Sequence, residues 1–312
     1  MPRLGISSLL ALPLALAGCA PDTGVIRRPD LGLDTGAPDT DPTGPSTEPP
    51  IPGDTEACFL GPDRDHDLCY DLFALDPVPA DYTYPEPYQG DPNYRAPLAF
   101  LDLEQGGTHP EDHLAPHFQL VEIAEAWKGR YAVIQPHAIE RIQEVRDQLG
   151  ALIVNSGYRS PGYNADIPGA ATWSRHMYGD AFDLNPASAT LGDLEAACSA
   201  AGAFVLVYTN HVHCDWRDDP VDEAFFGPAP RSVSAAPRPV LDATITWDGA
   251  RLVAPAIGFD EGEPLREWFA FDAAGTLLTR HEGSSFLPPR RAVSVEVDVG
   301  RALTRGVDLR GP

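Results

Sequence analysis

Residues 20 to about 56 are rich in Pro, Asp, Thr and Gly and carry few large apolar side chains. Such a segment cannot bury enough apolar surface to offset the entropy of ordering it. We read 20–56 as a tether, so whatever folds lies C-terminal to it. The remainder is long enough for one sizeable core and a smaller second one. An irregular extension bracketed by Cys58 and Cys69 is expected over 57–110. A larger domain over 111–228, a Pro-rich joint over 229–239 and a small β domain over 240–312 complete the division.

Hydrophobic spacing gives the elements. Leu120, Ile123, Ala124 and Trp127 fall at helical intervals and predict one buried helical stripe. Pro136 opens a second helix with Ile139, Ile142, Val145 and Leu149 on one face and Gly150 as its stop. Strands are expected at Ala151–Asn155, between 170 and 185, at Ala203–Tyr208 and at His211–Trp216, with a helix from Leu191 to Ala201. Beyond the joint, Leu241, Ala243, Ile245 and Trp247 alternate onto one strand face, and Asp248-Gly249 marks a hairpin turn. Further strands at Trp268–Phe271 and Val293–Val299 complete an all-β, sandwich-like reading. The fold class expected for the whole is α+β, followed by this β domain.

The N-terminus decides the compartment. Arg3 precedes an apolar run from Leu4 to Ala17, too short to span a bilayer and right for the core of an export signal. Its end, Leu16-Ala17-Gly18-Cys19, resembles the lipobox of bacterial lipoproteins. The resemblance implies a signal peptide over 1–19, cleavage before Cys19 and a lipid anchor on it. Ala20 then implies the outer membrane, at its periplasmic face. An ordinary secretory signal is the alternative, and it too exports the chain. With Cys19 lipidated, four of the five cysteines remain. An oxidising compartment favours disulfides, and nearness in sequence suggests Cys58–Cys69 and Cys198–Cys214 among three possible connectivities. The formal net charge of −24 excludes nucleic acid as a partner, because phosphates demand Lys and Arg.

Three segments offer chemistry: Ser156-Gly157-Tyr158-Arg159-Ser160-Pro161, then Ser174 to Asp183, then His211-Val212-His213-Cys214-Asp215. A turn at Gly179 would return the chain as a strand and aim Asp183 back toward His176. His211 and His213 share a strand face. Two imidazoles and one carboxylate leave one position of a tetrahedral zinc open, the catalytic pattern. Arg159 offers fixed positive charge for an oxyanion or a carboxylate. His109, His113 and His117 recur every four residues, but Pro110 and Pro116 break any common helical face. The acidic stretch Asp63 to Asp67 lacks the Gly and distal Glu of a calcium loop and reads as a surface loop.

These segments resemble the Ser-x-His-x-x-x-Gly-x-x-x-Asp and His-x-His signatures of the zinc D-alanyl-D-alanine carboxypeptidase family, also called LAS metallopeptidases. His117-Phe118 and the Ser-Gly-Tyr-Arg-Ser-Pro run add to the likeness, which covers about 113–220. The resemblance implies a hedgehog/DD-peptidase-type domain with a small antiparallel sheet and flanking helices. It implies one Zn2+ on His176, Asp183 and His213, with Arg159 on the substrate carbonyl or carboxylate. Ser156, Ser174 and Asp215 support the site. His211 is the expected general base, with Asp215 as the alternative. The expected substrates are peptidoglycan stem peptides, cut by a carboxypeptidase or an endopeptidase. The rival is a zinc-containing wall-binding module of the same fold that has lost catalysis. A further rival gives the main function to the β domain, as a wall-binding or adhesion module.

Overall fold

The structure, a computed structural model, describes residues 55–105, 107–229, 241–259 and 262–310. The segment expected to be an export signal, Cys19, nearly all of the expected tether and nearly all of the expected Pro-rich joint lie outside them.

A four-stranded antiparallel sheet organises the middle of the chain. Its strand order is Leu152–Ser156, Ala181–Pro186, Val212–Asp215, Phe204–Val207. The two faces diverge because side chains alternate along each strand. Phe182, Leu184, Val212 and Cys214 pack into one apolar core with Ile139, Ile142, Val145, Leu194 and Ala197. Those partners come from the helices Pro136–Leu149 and Leu191–Ala200. Both form as their sequences dictate: Pro136 occupies the first turn and Gly150 ends one helix, while Thr190 and Asp193 close a capping box on the other. The opposite face carries Asp183, His213 and Leu206, aligned across the strands by register.

The two disulfides are present as the spacing suggested. Cys58 and Cys69 face each other in the hairpin Glu56–Phe59/Leu68–Asp71. Cys198–Cys214 ties the Leu191–Ala200 helix to the sheet. The irregular stretch after the hairpin packs on the central region through Tyr84, Arg95 and Asn93, whose polar atoms bond backbone or Arg175.

Two expectations fail, for the same kind of reason. The stripe from Leu120 to Trp127 is not one helix: the helix spans only Leu120–Ile123, and Trp127 is 66 % exposed. The Ile123 carbonyl accepts from the Tyr158 N–H at 2.8 Å, so a tertiary bond takes the acceptor that helix continuation needs. Gly157 permits that approach, since a Cβ there would stand 2.2 Å from the Ile123 oxygen. The Trp127 ring instead packs edge-on against Tyr163. Likewise, Leu241 to Trp247 is not one strand face. The chain breaks into Asp242–Ala243 and Thr246–Trp247, which belong to different sheets, and Trp247 is exposed. The hairpin after Asp248 does form, pairing Trp247 with Leu252.

The C-terminal β region is built on the four-stranded antiparallel sheet Leu277–Glu282, Arg266–Phe271, Ser294–Val299, Leu303–Asp308. Trp268, Val295 and Val297 pack there with Leu252 and Phe286 from the shorter strands. Leu206 and Tyr208 of the central region share this core. Backbone bonds join the two regions as well: Thr209 donates to Glu263, Leu265 to Val207, and Val207 to Gly300. The exposed edge of the central sheet is thereby covered.

Candidate metal centre

Three local devices bring the trio together. His176 sits in the 3-10 turn Arg175–Tyr178, which ends at Gly179 with φ +78°. A side chain is doubly excluded there, because a Cβ would also lie 2.2 Å from the Val133 oxygen. The chain reverses at that glycine into the strand carrying Asp183, and register places His213 directly opposite. The turn is held from behind by Arg175, fully buried, whose Nε donates to Asp180 Oδ1 at 2.9 Å. Its guanidinium lies between the Tyr94 and Tyr178 rings, 4.8 Å from each centroid.

His176 Nε2, Asp183 and His213 Nδ1 converge in the interior. His176 Nε2 is 3.3 Å from Asp183 Oδ2, His213 Nδ1 is 2.9 Å from Asp183 Oδ1, and the two ring nitrogens are 3.2 Å apart. The far nitrogens decide what the near ones present. His176 Nδ1 donates to the Gly157 carbonyl at 2.7 Å, and His213 Nε2 donates to Asp215 Oδ2 at 3.0 Å. Each ring therefore turns a lone pair toward the carboxylate and toward the other ring. Two lone pairs and a carboxylate at this range repel unless a cation lies between them. Donors roughly 2.0–2.1 Å from a tetrahedral zinc stand about 3.3 Å apart, so the donor set fits that ion.

Burial alone would raise the Asp183 pKa; protonated His176 and His213 hold it well below the ordinary carboxylate range, and a cation among the three takes over that role when both rings present lone pairs. Burial opposes ionisation of Asp215 too, and Arg217 and His213 outweigh it, so its pKa is also lowered.

The remaining expected residues divide. His211 is 7 % exposed and its ring stacks on Tyr208 at 4.3 Å. Its Nδ1 donates to Asn210 Oδ1 at 2.9 Å, and its Nε2, without a hydrogen-bond partner, lies 3.6 Å from Asp183 Oδ1. Burial pushes its pKa down, with Asp183 pulling the other way. Asp215 does not face the site as an alternative base. It lies behind His213, where Arg217 Nε also binds it at 2.6 Å, so it orients the ring. Arg159, the residue expected on the substrate carbonyl or carboxylate, stands beside the trio. It is fully buried, with Nη2 2.8 Å from Asp183 Oδ2 and Nε 3.0 Å from Ser156 Oγ. Ser156 thus supports Arg159, while Ser174 is buried at the start of the histidine turn without capping it.

Above the trio opens a cavity of about 310 Å³ lined by Asn155, Asp183, Asn185, Asn210, His211 and Gly262. The asparagines were not singled out from the sequence, although each adjoins a motif residue. Asn185 is two positions beyond Asp183 and so shares its strand face.

A Peptidase M15 family model matches residues 116–215, about a third of the chain. The matched segment contains the whole trio, Arg159, His211 and Asp215, and stops short of the C-terminal β region. It supports a hydrolase of the metallopeptidase class, and the zinc dependence of that family agrees with the donor set. No curated protein and no solved structure matches the chain.

Proposed function

We propose that this chain is an exported zinc peptidase that hydrolyses peptide bonds in peptidoglycan stem peptides, tethered to the outer membrane by a lipid on Cys19. The observation that supports it most is the convergence of two imidazole lone pairs and one carboxylate beneath an open mouth that also presents His211. His176, Asp183 and His213 would hold one zinc ion, which supplies Lewis acidity and lowers the pKa of a water to about 7. Arg159 fixes Asp183 and adds positive charge beside the trio, which favours an oxyanion forming there. Asn210 holds His211 with its proton on Nδ1, so Nε2 has the lone pair a general base requires. His211 accepts a proton from the attacking water and returns it to the leaving amine. The amide C–N bond breaks, and one carboxyl group and one amine are released.

The test is mass spectrometry of purified muropeptides before and after incubation with the protein, alongside zinc per chain. Zinc-dependent shortening of stem peptides or splitting of cross-linked dimers is the expected result. Stoichiometric zinc with no change in any muropeptide would transfer the reading to a wall-binding module.

A further inference from the structure

His211 sits where a sheet is ordinarily least fixed, on the turn that closes a hairpin. The register that pairs Val207 with Val212 makes Tyr208 and His211 the next cross-strand pair, on the face that carries Leu206 and His213. The Tyr208 N–H donates to the His211 carbonyl at 3.0 Å, which closes the turn over Thr209 and Asn210. The two rings follow the backbone: they stack 4.3 Å apart and 10° from parallel, and both are buried.

Residues distant in sequence steady this turn. Asn185 Nδ2 donates to the Asn210 carbonyl at 2.6 Å from the neighbouring strand. The other ties come from the C-terminal region. The Thr209 N–H donates to the Glu263 carbonyl at 3.1 Å, Tyr208 bridges Pro264, and the Leu265 N–H donates to the Val207 carbonyl at 2.9 Å. Residues 263–265 therefore run along the Phe204–Tyr208 edge as an added strand would. Arg266 fixes them in turn: its buried guanidinium pairs with Glu263 and donates to the Pro264 carbonyl at 3.1 Å and the Ala254 carbonyl at 2.8 Å. Gly262 meets the stack itself. A Cβ there would stand 3.2 Å from Tyr208 Cδ1 and 3.5 Å from His211 Cε1.

The His211 ring is thus backed on one face by Tyr208 and at its Cε1 edge by Gly262, with Nε2 3.6 Å from Asp183 Oδ1. A general base works only within hydrogen-bond reach of its proton, and a misplacement of about 1 Å can cost roughly 10²-fold. The match to the peptidase family ends at residue 215 and includes neither Gly262 nor 263–265.

We infer that Tyr208 and the C-terminal segment 262–265 are positioning parts of the reaction centre, which hold the His211 ring so that Nε2 stays aimed at the trio. The C-terminal β region then serves the reaction as well as covering the sheet edge. This rests on the peptidase reading above, with His211 as its base.

The experiment uses the full chain and purified muropeptides, with kcat, KM and zinc per chain measured for each variant. Tyr208→Leu should lower kcat about ten- to hundredfold at unchanged KM and unchanged zinc. Tyr208→Phe, which keeps the ring plane, should recover most of that loss. Gly262→Ala should lower kcat several-fold with Tyr208 in place, so a second test remains if Tyr208→Leu does not fold. Added to His211→Ala, Tyr208→Leu should change the rate by less than about twofold, because no base is left to position. In the zinc-free chain, the His211 Cε1–H NMR resonance should move downfield in Tyr208→Leu, where the stacked ring's shielding is lost, and hold its place in Tyr208→Phe. Parental kcat in both Tyr208→Leu and Gly262→Ala, a rate loss matched by zinc loss in both, or a full further loss on top of His211→Ala overturns the inference while leaving a peptidase. Parental turnover in His211→Ala removes the base and the inference together. A parent chain that cuts no muropeptide removes the peptidase reading itself.

Discussion

Among the described residues, two four-stranded antiparallel sheets use the same alternation to opposite ends. In the C-terminal sheet, Trp268, Ala270, Val295 and Val297 point inward, while Glu296 and Arg280 point to solvent. In the central sheet both faces are covered, one by helices and one by the turn carrying His176 and by the C-terminal region. Residues that would be the wet side of an ordinary sheet, Asp183, His213 and Asp215, are therefore buried, the two aspartates with their charge. Burying ions costs several kcal/mol each before pairing repays it. That cost is concentrated where the ions converge on one point; in the other sheet the buried charges, Arg266 and Glu267, are paired separately with Glu263 and Arg280.

The contrast can be broken most severely at the trio. His176→Ala, Asp183→Ala and His213→Ala should each abolish zinc binding and turnover together, because a three-ligand site has no spare protein ligand. Zinc per chain by elemental analysis, measured with muropeptide turnover, checks it; full zinc in His213→Ala with loss in His211→Ala would reverse the assignment within the His-x-His pair. Next in size, His211→Ala should retain zinc and lose about 10²–10⁴-fold in rate, the usual effect of losing a general base. Arg175→Ala should destabilise by about 3–5 kcal/mol, since it leaves the buried Asp180 carboxylate without its partner. Denaturant unfolding would show it, and a loss below about 1 kcal/mol would mean that the buried pair is not a distinct cost of the central region.

Smaller effects are expected at the buried Cys198–Cys214 bridge and then at the surface. Replacing both Cys198 and Cys214 by serine should cost about 3 kcal/mol for a loop of this length on the chain-entropy account. In the C-terminal sheet, Arg305→Ala removes an exposed pair with Asp242 and should leave stability almost unchanged, because solvent screens such a pair. If Arg305→Ala proved as damaging as Arg175→Ala, the difference drawn between the two sheets would not hold.

Much of the site could be read in advance because its logic is local. Gly179 between His176 and Asp183 demands a reversal, and alternate positions of one strand share a face whatever surrounds them. Asp215 was harder to place, since its spacing from His213 allows either a base or a support; only the ring nitrogen it touches decides. The asparagines escaped notice because nothing in 155, 185 and 210 links them until three strands are set side by side. Trp127 was misplaced for a related reason: helical spacing records what a segment can do alone, and the Ile123 carbonyl is claimed by Tyr158 from 35 positions away.

The sequence by itself determined the short-range matters: the helix from Pro136, the glycine turn, and which residue types could hold a metal, and nearness in sequence favoured the cysteine pairs that formed. These follow from backbone sterics, side-chain period and chain closure over few residues, which neighbours in sequence fix. The tertiary structure alone decided which nitrogen each histidine presents, that Arg159 lies behind Asp183, and that the β region seals the sheet edge and walls the cavity at Gly262. Each of these depends on a hydrogen bond or contact between residues distant along the chain, and such partners are chosen by packing, which no local pattern encodes.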